Sequence, residues 1–407
     1  MHNFGTLYVY ELKKICKRKI VWITMGILIA IAAFMGAAEP LNHAYSITTG
    51  QNRVEMNGFE YLAFDKEIAQ MQDGRKIDDV LLTEVKEHYQ KIDAYQTDTV
   101  MDEDTFVENE KQRNRYRRIY RYVSYIMGNN DAVYRIDADT LYQTRMENLQ
   151  ESWTEQLLTE EEKSYWLEIE AAIEKPFIYG YADGWETILE EFLSLNVMLV
   201  LAIAICLSAV FSDEHLRKTD ALILSSKNGK KSLFFSKMAA GVTFGLGSGV
   251  ALLLTTILST LWVYGTEGAD IAVQICLPIC AWNLTMKQAV LLMSAVYVIA
   301  GIFCSIITMF LSEAMKNGIA VMGIMVGSMM ATMFVDIPYY FREISQIYEL
   351  LPTVLLRVWQ LWDYRLVNLF GVKLTNMQAA PGIYAAVSIL LMALGSRIYK
   401  NYQVGGR

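Results

Sequence analysis

The 407-residue chain holds only five cysteines, four histidines and six prolines. No cysteine lies between Cys16 and Cys206, so the long polar stretch between them cannot contain a disulfide. Cys276 and Cys280 stand one helical turn apart, a spacing open to a small bridge or a metal pair, but no histidine is near enough in sequence to complete a site. Two buried thiols are therefore expected. His2, His43, His88 and His215 all fall outside the apolar runs. There is no HExxH, no Gly-x-Ser-x-Gly and no Cys/His pair at a recognisable spacing, which leaves a membrane enzyme without its catalytic set. Charge is scarce too, at 20% against 53% hydrophobic residues, and this excludes a disordered or collagen-like chain.

What the chain has instead is six long apolar stretches: residues 20–38, 192–211, 238–265, 288–312, 318–335 and 374–396. At about 1.5 Å of rise per residue, each can cross roughly 30 Å of hydrocarbon. The flanking charges orient them. If six spans are threaded alternately, 15 basic and five acidic residues fall on the side of the termini, a net of +10, and the other side carries −18. Lys13, Lys14, Lys17, Arg18 and Lys19 precede the first span, and Arg217, Lys218, Lys227, Lys230, Lys231 and Lys237 separate the second from the third. By the positive-inside rule both termini are cytoplasmic. A cleaved signal peptide is the alternative for residues 20–38, but the run is long for a signal core, and an uncleaved anchor is expected.

The expected fold class is therefore an all-α membrane protein: six transmembrane helices with a mostly helical extracellular domain, residues 39–191, between spans one and two. Residues 1–19 read as a cytoplasmic amphipathic helix, with Phe4, Leu7, Tyr8, Leu12 and Ile15 on one side. The extracellular domain carries 49 charged residues, and apolar positions such as Leu81, Val85, Tyr89 and Ile92 recur at helical intervals, for about five helices. Its stretch Lys111 to Tyr122 has six basic residues and three tyrosines. Facing outward, it does not suit nucleic acid. Pairing with carboxylates is expected, with a docking patch for an anionic ligand or lipid headgroup as the other reading. The clusters Asp102-Glu103-Asp104 and Asp137-Ala138-Asp139 lack the glycine and spaced ligands of a calcium loop and read as solvated surface.

Gly241, Gly245 and Gly249, and again Gly323 and Gly327, repeat at helix-packing spacing. Residues 336–373 are amphipathic, with Trp359 and Trp362 suited to the headgroup zone, and are expected to form outer re-entrant or interfacial helices. Residues 397–407 form a cytoplasmic tail. Asn196, Thr255, Thr256, Ser259, Ser294, Tyr297 and Thr308 are polar residues within the spans and the candidates for a translocation path. The spans carry no acids of the kind that an ion-coupled carrier keeps in the membrane.

The loop of residues 212–237 carries the most specific pattern, FSDEHLRKTDALILSSKNGKKSLFFSK over residues 211–237. Glu214, Arg217, Lys218 and Asp220 set both signs of charge beside apolar Leu216 and Leu222, as in a short helix that docks into a protein groove. Gly229-Lys230-Lys231-Ser232 is not a phosphate loop, because Leu224 stands where the first glycine is required. The order of an interfacial helix, six spans, this inner loop and outer half-helices resembles the permease subunit of a type-2 ATP-binding-cassette (ABC) exporter, in its subgroup with a large extracellular domain. Within the loop Glu214, Thr219, Leu222, Leu224, Ser225, Lys230 and Lys237 match the family pattern, while Lys218 replaces the usual glycine and Lys227 stands where proline is common.

The resemblance implies that the loop is a coupling helix seated on a separate ABC ATPase subunit, with Glu214, Leu216, Arg217, Lys218, Thr219, Asp220 and Leu222 at the contact. It implies no cofactor in this chain, and ATP and Mg on the partner. It further implies a homodimer, or a heterodimer with a related permease, in the plasma membrane of a bacterium. The cargo expected along an apolar path is an antimicrobial peptide, a lipid or a hydrophobic drug. The alternative is a non-transporting membrane sensor or assembly scaffold whose extracellular domain binds a ligand.

Overall fold

A computed structural model describes residues 2–92, 100–216, 231–369 and 371–401, and it is 74% helical. His2–Cys16 forms α1, and Lys19–Asn42 forms α2. Ala44–Thr49 (β1) and Asn52–Asn57 (β2) then pair as an antiparallel hairpin, with Gly50 at φ 59° in its turn. Helices Gly58–Gln70 (α3), Asp79–Ile92 (α4), Glu103–Arg113 (α5), Arg117–Met127 (α6), Ala138–Glu155 (α7) and Glu160–Ala171 (α8) complete an insert domain. Asp183–Leu207 is α9, and the short Ser212–Leu216 (α10) follows it. Lys231–Tyr264 (α11), Met286–Met315 (α12) and Gly318–Phe334 (α13) come next. Arg342–Glu349 (α14), Pro352–Leu355 (α15), a 3-10 turn at Val358–Trp362 and a small hairpin, Val367–Leu369 (β3) with Val372–Leu374 (β4), lead into Asn376–Asn401 (α16).

Five helices, α2, α9, α11, α12 and α16, are long and apolar enough to cross a membrane. The chain thus has the all-α character of a multi-pass membrane protein. α13 is apolar but has 17 residues and rises only about 25 Å. Two boundaries differ from the sequence reading for visible reasons. The helix expected over 192–211 begins at Asp183, because its amphipathic first turns pack on the insert domain before the apolar run starts. The last helix begins at Asn376 rather than 374, because Thr375 and Gln378 cap it reciprocally, at 3.1 and 3.3 Å, and Leu374 belongs to β4.

Among its described residues the insert domain has six α-helices and a hairpin, where about five helices were expected. β2 alternates buried Asn52, Val54 and Met56 with exposed neighbours, a period-two pattern that its polar residues obscure. The two acid clusters prove to be helix starts: Asp102 accepts from Thr105 N at 3.0 Å, and Asp137 from Thr140 N at 2.8 Å. Both satisfy amide donors that would otherwise be orphaned.

Close helix contacts hold the apolar bundle. A Cβ on Gly36 of α2 would lie 2.6 Å from Thr260 Cα of α11, so the two backbones touch. On the other side of α11, Gly241 and Gly245 face Met309 and Ser305 of α12 at equally short range. Phe303 of α12 stacks on Tyr384 of α16 at 4.4 Å. Gly323 and Gly327 of α13, in contrast, face open space.

Candidate functional site

At the end of the bundle that carries both termini, the sequence places lysines and acids on three separate elements, and folding gathers them. The Glu214 carboxylate of α10 pairs with Lys14 of α1 at 2.7 Å and with Lys237 of α11 at 2.5 Å. Lys14 also lies 3.7 Å from Glu11. Lys237 is fully buried, donates to the Val210 carbonyl at 3.4 Å and sits 4.9 Å from the Phe211 ring centre. Arg18 reaches the Cys206 carbonyl at 3.1 Å and Asp213 at 3.9 Å. A buried charge is tolerable only when paired, and here two acids and two lysines balance.

The Glu214 carboxylate, expected at a partner contact, is buried and engaged within the chain. Glu11 is also buried, beside Tyr8, Leu12 and Ile15, so the inward stripe of α1 includes an acid. No apolar pattern could have signalled that. Arg217, Lys218, Thr219, Asp220 and Leu222 lie outside the described residues, as does the side chain of Leu216.

The candidate path residues do not converge on a channel within one chain. Thr255, Ser294 and Thr308 bond the carbonyls of Ala251, Val290 and Cys304, one turn back on their own helices. Ser259 bonds the Ala32 carbonyl at 3.2 Å, joining α11 to α2. Tyr297 donates to the Leu195 carbonyl at 3.5 Å. Thr256 is fully buried. Asn196 donates to the Pro352 carbonyl at 2.8 Å.

That last bond belongs to a closure at the opposite end of the bundle. The segment after α13 folds back into the helices, with Leu355, Leu356 and Leu361 fully buried. Irregular backbone at such depth requires partners. Tyr348 supplies them to the Thr332 and Val335 carbonyls at 2.8 and 2.5 Å, and Arg357 donates to Thr332 O at 2.5 Å. Short helices are thus present in this segment, with Ser345, Tyr348 and Glu349 turned inward and Ile344 and Ile347 exposed.

The insert domain is bolted to this closure. Arg145, fully buried, meets Glu170 at 2.5 Å and donates to the Pro278 and Cys280 carbonyls at 2.7 and 2.8 Å. Trp166 donates to Tyr364 O at 2.6 Å, and Gln156 to Trp362 O at 2.7 Å. The basic stretch is largely consumed by pairing: Lys111 with Glu67, Arg117 with Asp65, and Arg118 with Asp65 and Asp183 at 2.5 and 2.6 Å. All five cysteines are free thiols, and the described residues contain no cluster suited to a metal ion. Among family models, curated proteins and solved structures, none matches this chain.

Proposed function

We propose that this chain is the translocation subunit of an ATP-driven exporter of the type-2 ABC class. It would cross a bacterial plasma membrane six times, with α13 as the short fifth span, both termini in the cytoplasm and the insert domain outside. The excess of lysine and arginine at the termini-bearing end supports that orientation.

The observation that carries the reading is the run of ion pairs Glu11–Lys14–Glu214–Lys237. It joins α1, α10 and α11 where the chain leaves α10 for the charged loop and returns into α11. A push on that loop therefore reaches three helices at once, as coupling to a separate motor requires. An ABC ATPase would bind ATP and Mg and seat the loop. The candidate path residues are turned inward within one chain, which supports a path between two chains, either identical or related. An apolar path suits an amphipathic cargo, such as an antimicrobial peptide, a lipid or a hydrophobic drug.

The test is co-purification with a candidate cassette ATPase, together with cargo-stimulated ATP hydrolysis. Charge reversal in the loop, Lys218→Glu with Asp220→Lys, should abolish both and leave membrane insertion intact. Asp104→Lys in the insert domain should change neither. Equal behaviour of the two variants would sink the coupling assignment and favour a sensor or scaffold.

A further inference from the structure

Where the re-entrant segment meets the end of α13, a cavity of about 360 Å³ opens with two unlike walls. One wall is apolar: Leu193 of α9 and Met333, Phe334 and Val335 at the end of α13. Phe334 is 81% exposed, so this wall continues onto the face that lipid would cover. The other wall carries Asp336, Glu349, Arg357 and Asp363.

The charges on that wall are unequally matched. Asp363 is held by Arg365 through Nε at 2.9 Å and Nη2 at 2.5 Å, and by Asn376 at 3.0 Å. Arg357 is committed to the Thr332 carbonyl and lies 5.1 Å from the Trp359 ring centre. Asp336 and Glu349 form no ion pair among the described residues. Glu349 accepts a hydrogen bond from the Gln360 amide, and it is 9% exposed. With the Asp363–Arg365 pair neutral, two carboxylates against one guanidinium leave an excess of negative charge beside an apolar, lipid-facing wall.

We propose that this cavity is a binding site for a cationic amphiphile: a long-chain amine whose ammonium group meets Asp336 and Glu349 while its chain lies on Met333 and Phe334. An anion would meet uncompensated carboxylates. A neutral lipid would leave them unpaired in a partly dry site. An ammonium group supplies hydrogen-bond donors and charge together, and Tyr339 adds an aromatic face to the same cavity. The inference deepens the export reading by naming its cargo, and it rests on that reading for the direction of movement alone, since binding needs neither ATP nor a partner.

Ionisation of Glu349 gates the excess charge. Burial, with nearby Asp363 adding to it, pushes its carboxyl up to about 7. The other groups facing it are Asp336, Asp363, Arg357, Arg365, Tyr339 and Tyr348. Tyr339 is pushed up to about 12 by burial. An amine should therefore bind better as the pH rises through neutrality.

The test uses the full chain in phosphatidylcholine nanodiscs, with octadecylamine carrying a photoreactive diazirine and the matching alcohol as control. After irradiation the labelled residues are mapped by mass spectrometry. Labelling of the segment from Met333 to Trp359 by the amine should rise on the order of tenfold between about pH 5.5 and pH 8, following the ionised fraction of Glu349. The alcohol should label weakly and without pH dependence. Asp336→Asn with Glu349→Gln should remove the preference for the amine, while Phe334→Ala should weaken labelling and keep that preference. Equal labelling by amine and alcohol, or an amine signal flat with pH in the unaltered chain, overturns the proposal whether or not the variants fold. Failure here leaves the ATPase co-purification standing, and failure of co-purification leaves the binding result standing.

Discussion

The Asn196 side-chain amide lies 2.8 Å from the Pro352 carbonyl oxygen, joining the middle of α9 to the first residue of α15. Asn196 is 1% exposed, so no water can replace it. Asn196→Leu should leave a buried carbonyl without its donor, at a cost of about 1–3 kcal/mol. Thermal unfolding in detergent measures the loss. Asn196→Gln should recover less than the parent, because the longer side chain must be repacked.

Glu214 and Lys237 form a second such dependence. Glu214→Gln strands the fully buried Lys237 ammonium and should destabilise the chain by about 3–5 kcal/mol. Adding Lys237→Met removes the stranded charge and should restore much of that loss. A double-mutant cycle measured by denaturation tests it, and strictly additive effects would refute the pairing. Reversal to Glu214→Lys would bring three lysines together inside the chain, so the loop beyond residue 216 is the better place to probe a partner.

Arg145→Met should cost about 3–5 kcal/mol, because it leaves Glu170 buried with only Lys175 beside it. It also frees the Pro278 and Cys280 carbonyls. Limited proteolysis should then cut within residues 266–287 faster than in the parent. Excised residues 39–190 should give a helical circular dichroism spectrum unchanged by reductant. Their Trp153 and Trp166, 1% and 0% exposed in the full chain, should become open to acrylamide quenching.

Acid should weaken the insert domain in a defined window. Hydrogen bonding from Arg75 holds the Glu84 carboxyl at about 2, below its ordinary 4.5. A depressed carboxyl contributes stability above the unfolded value and loses it as the pH falls through the folded one. Glu84 has 41% of its side chain exposed, so solvent screening limits the effect to about 1 kcal/mol or less. Glu84→Gln should lower stability at neutral pH by about that amount or less and flatten the profile between pH 4.5 and 2, where parent and variant converge.

The proposed topology has a direct test. Glu151 is exposed on the insert domain, and Lys13 is exposed on α1. A membrane-impermeant maleimide should label Glu151→Cys on intact cells, and Lys13→Cys only after lysis. The reverse pattern would invert the orientation.

The apolar helices were legible because runs of about 20 residues leave few alternatives. The segment after α13 was legible as amphipathic, but nothing in its pattern marks polar Ser345, Tyr348 and Glu349 as the residues it buries. The β1–β2 hairpin was missed because Asn52 occupies an inward position that an apolar residue normally marks. The sequence reading places Glu214 and Lys237 in the inner loop, with Glu214 at a partner contact. The burial of Glu214 against Lys14 joins residues 200 positions apart, and no local periodicity encodes such a match. Gly241 and Gly245 signalled close packing correctly, and the structure supplies the facing Met309 and Ser305.

The shortness of α13 has a consequence for the surrounding lipid. Its 17 residues cover about 25 Å, where the hydrocarbon layer spans about 30 Å. Tyr348 and Arg357 close its last carbonyls at that depth, so the helix cannot lengthen to meet the bilayer. In the proposed topology the outer leaflet must sag toward Met333 and Phe334, and such hydrophobic mismatch costs a fraction of a kcal/mol per ångström. In that topology the membrane along this edge would be thinner and under curvature stress, which would lower the work of drawing an amphiphile out of it.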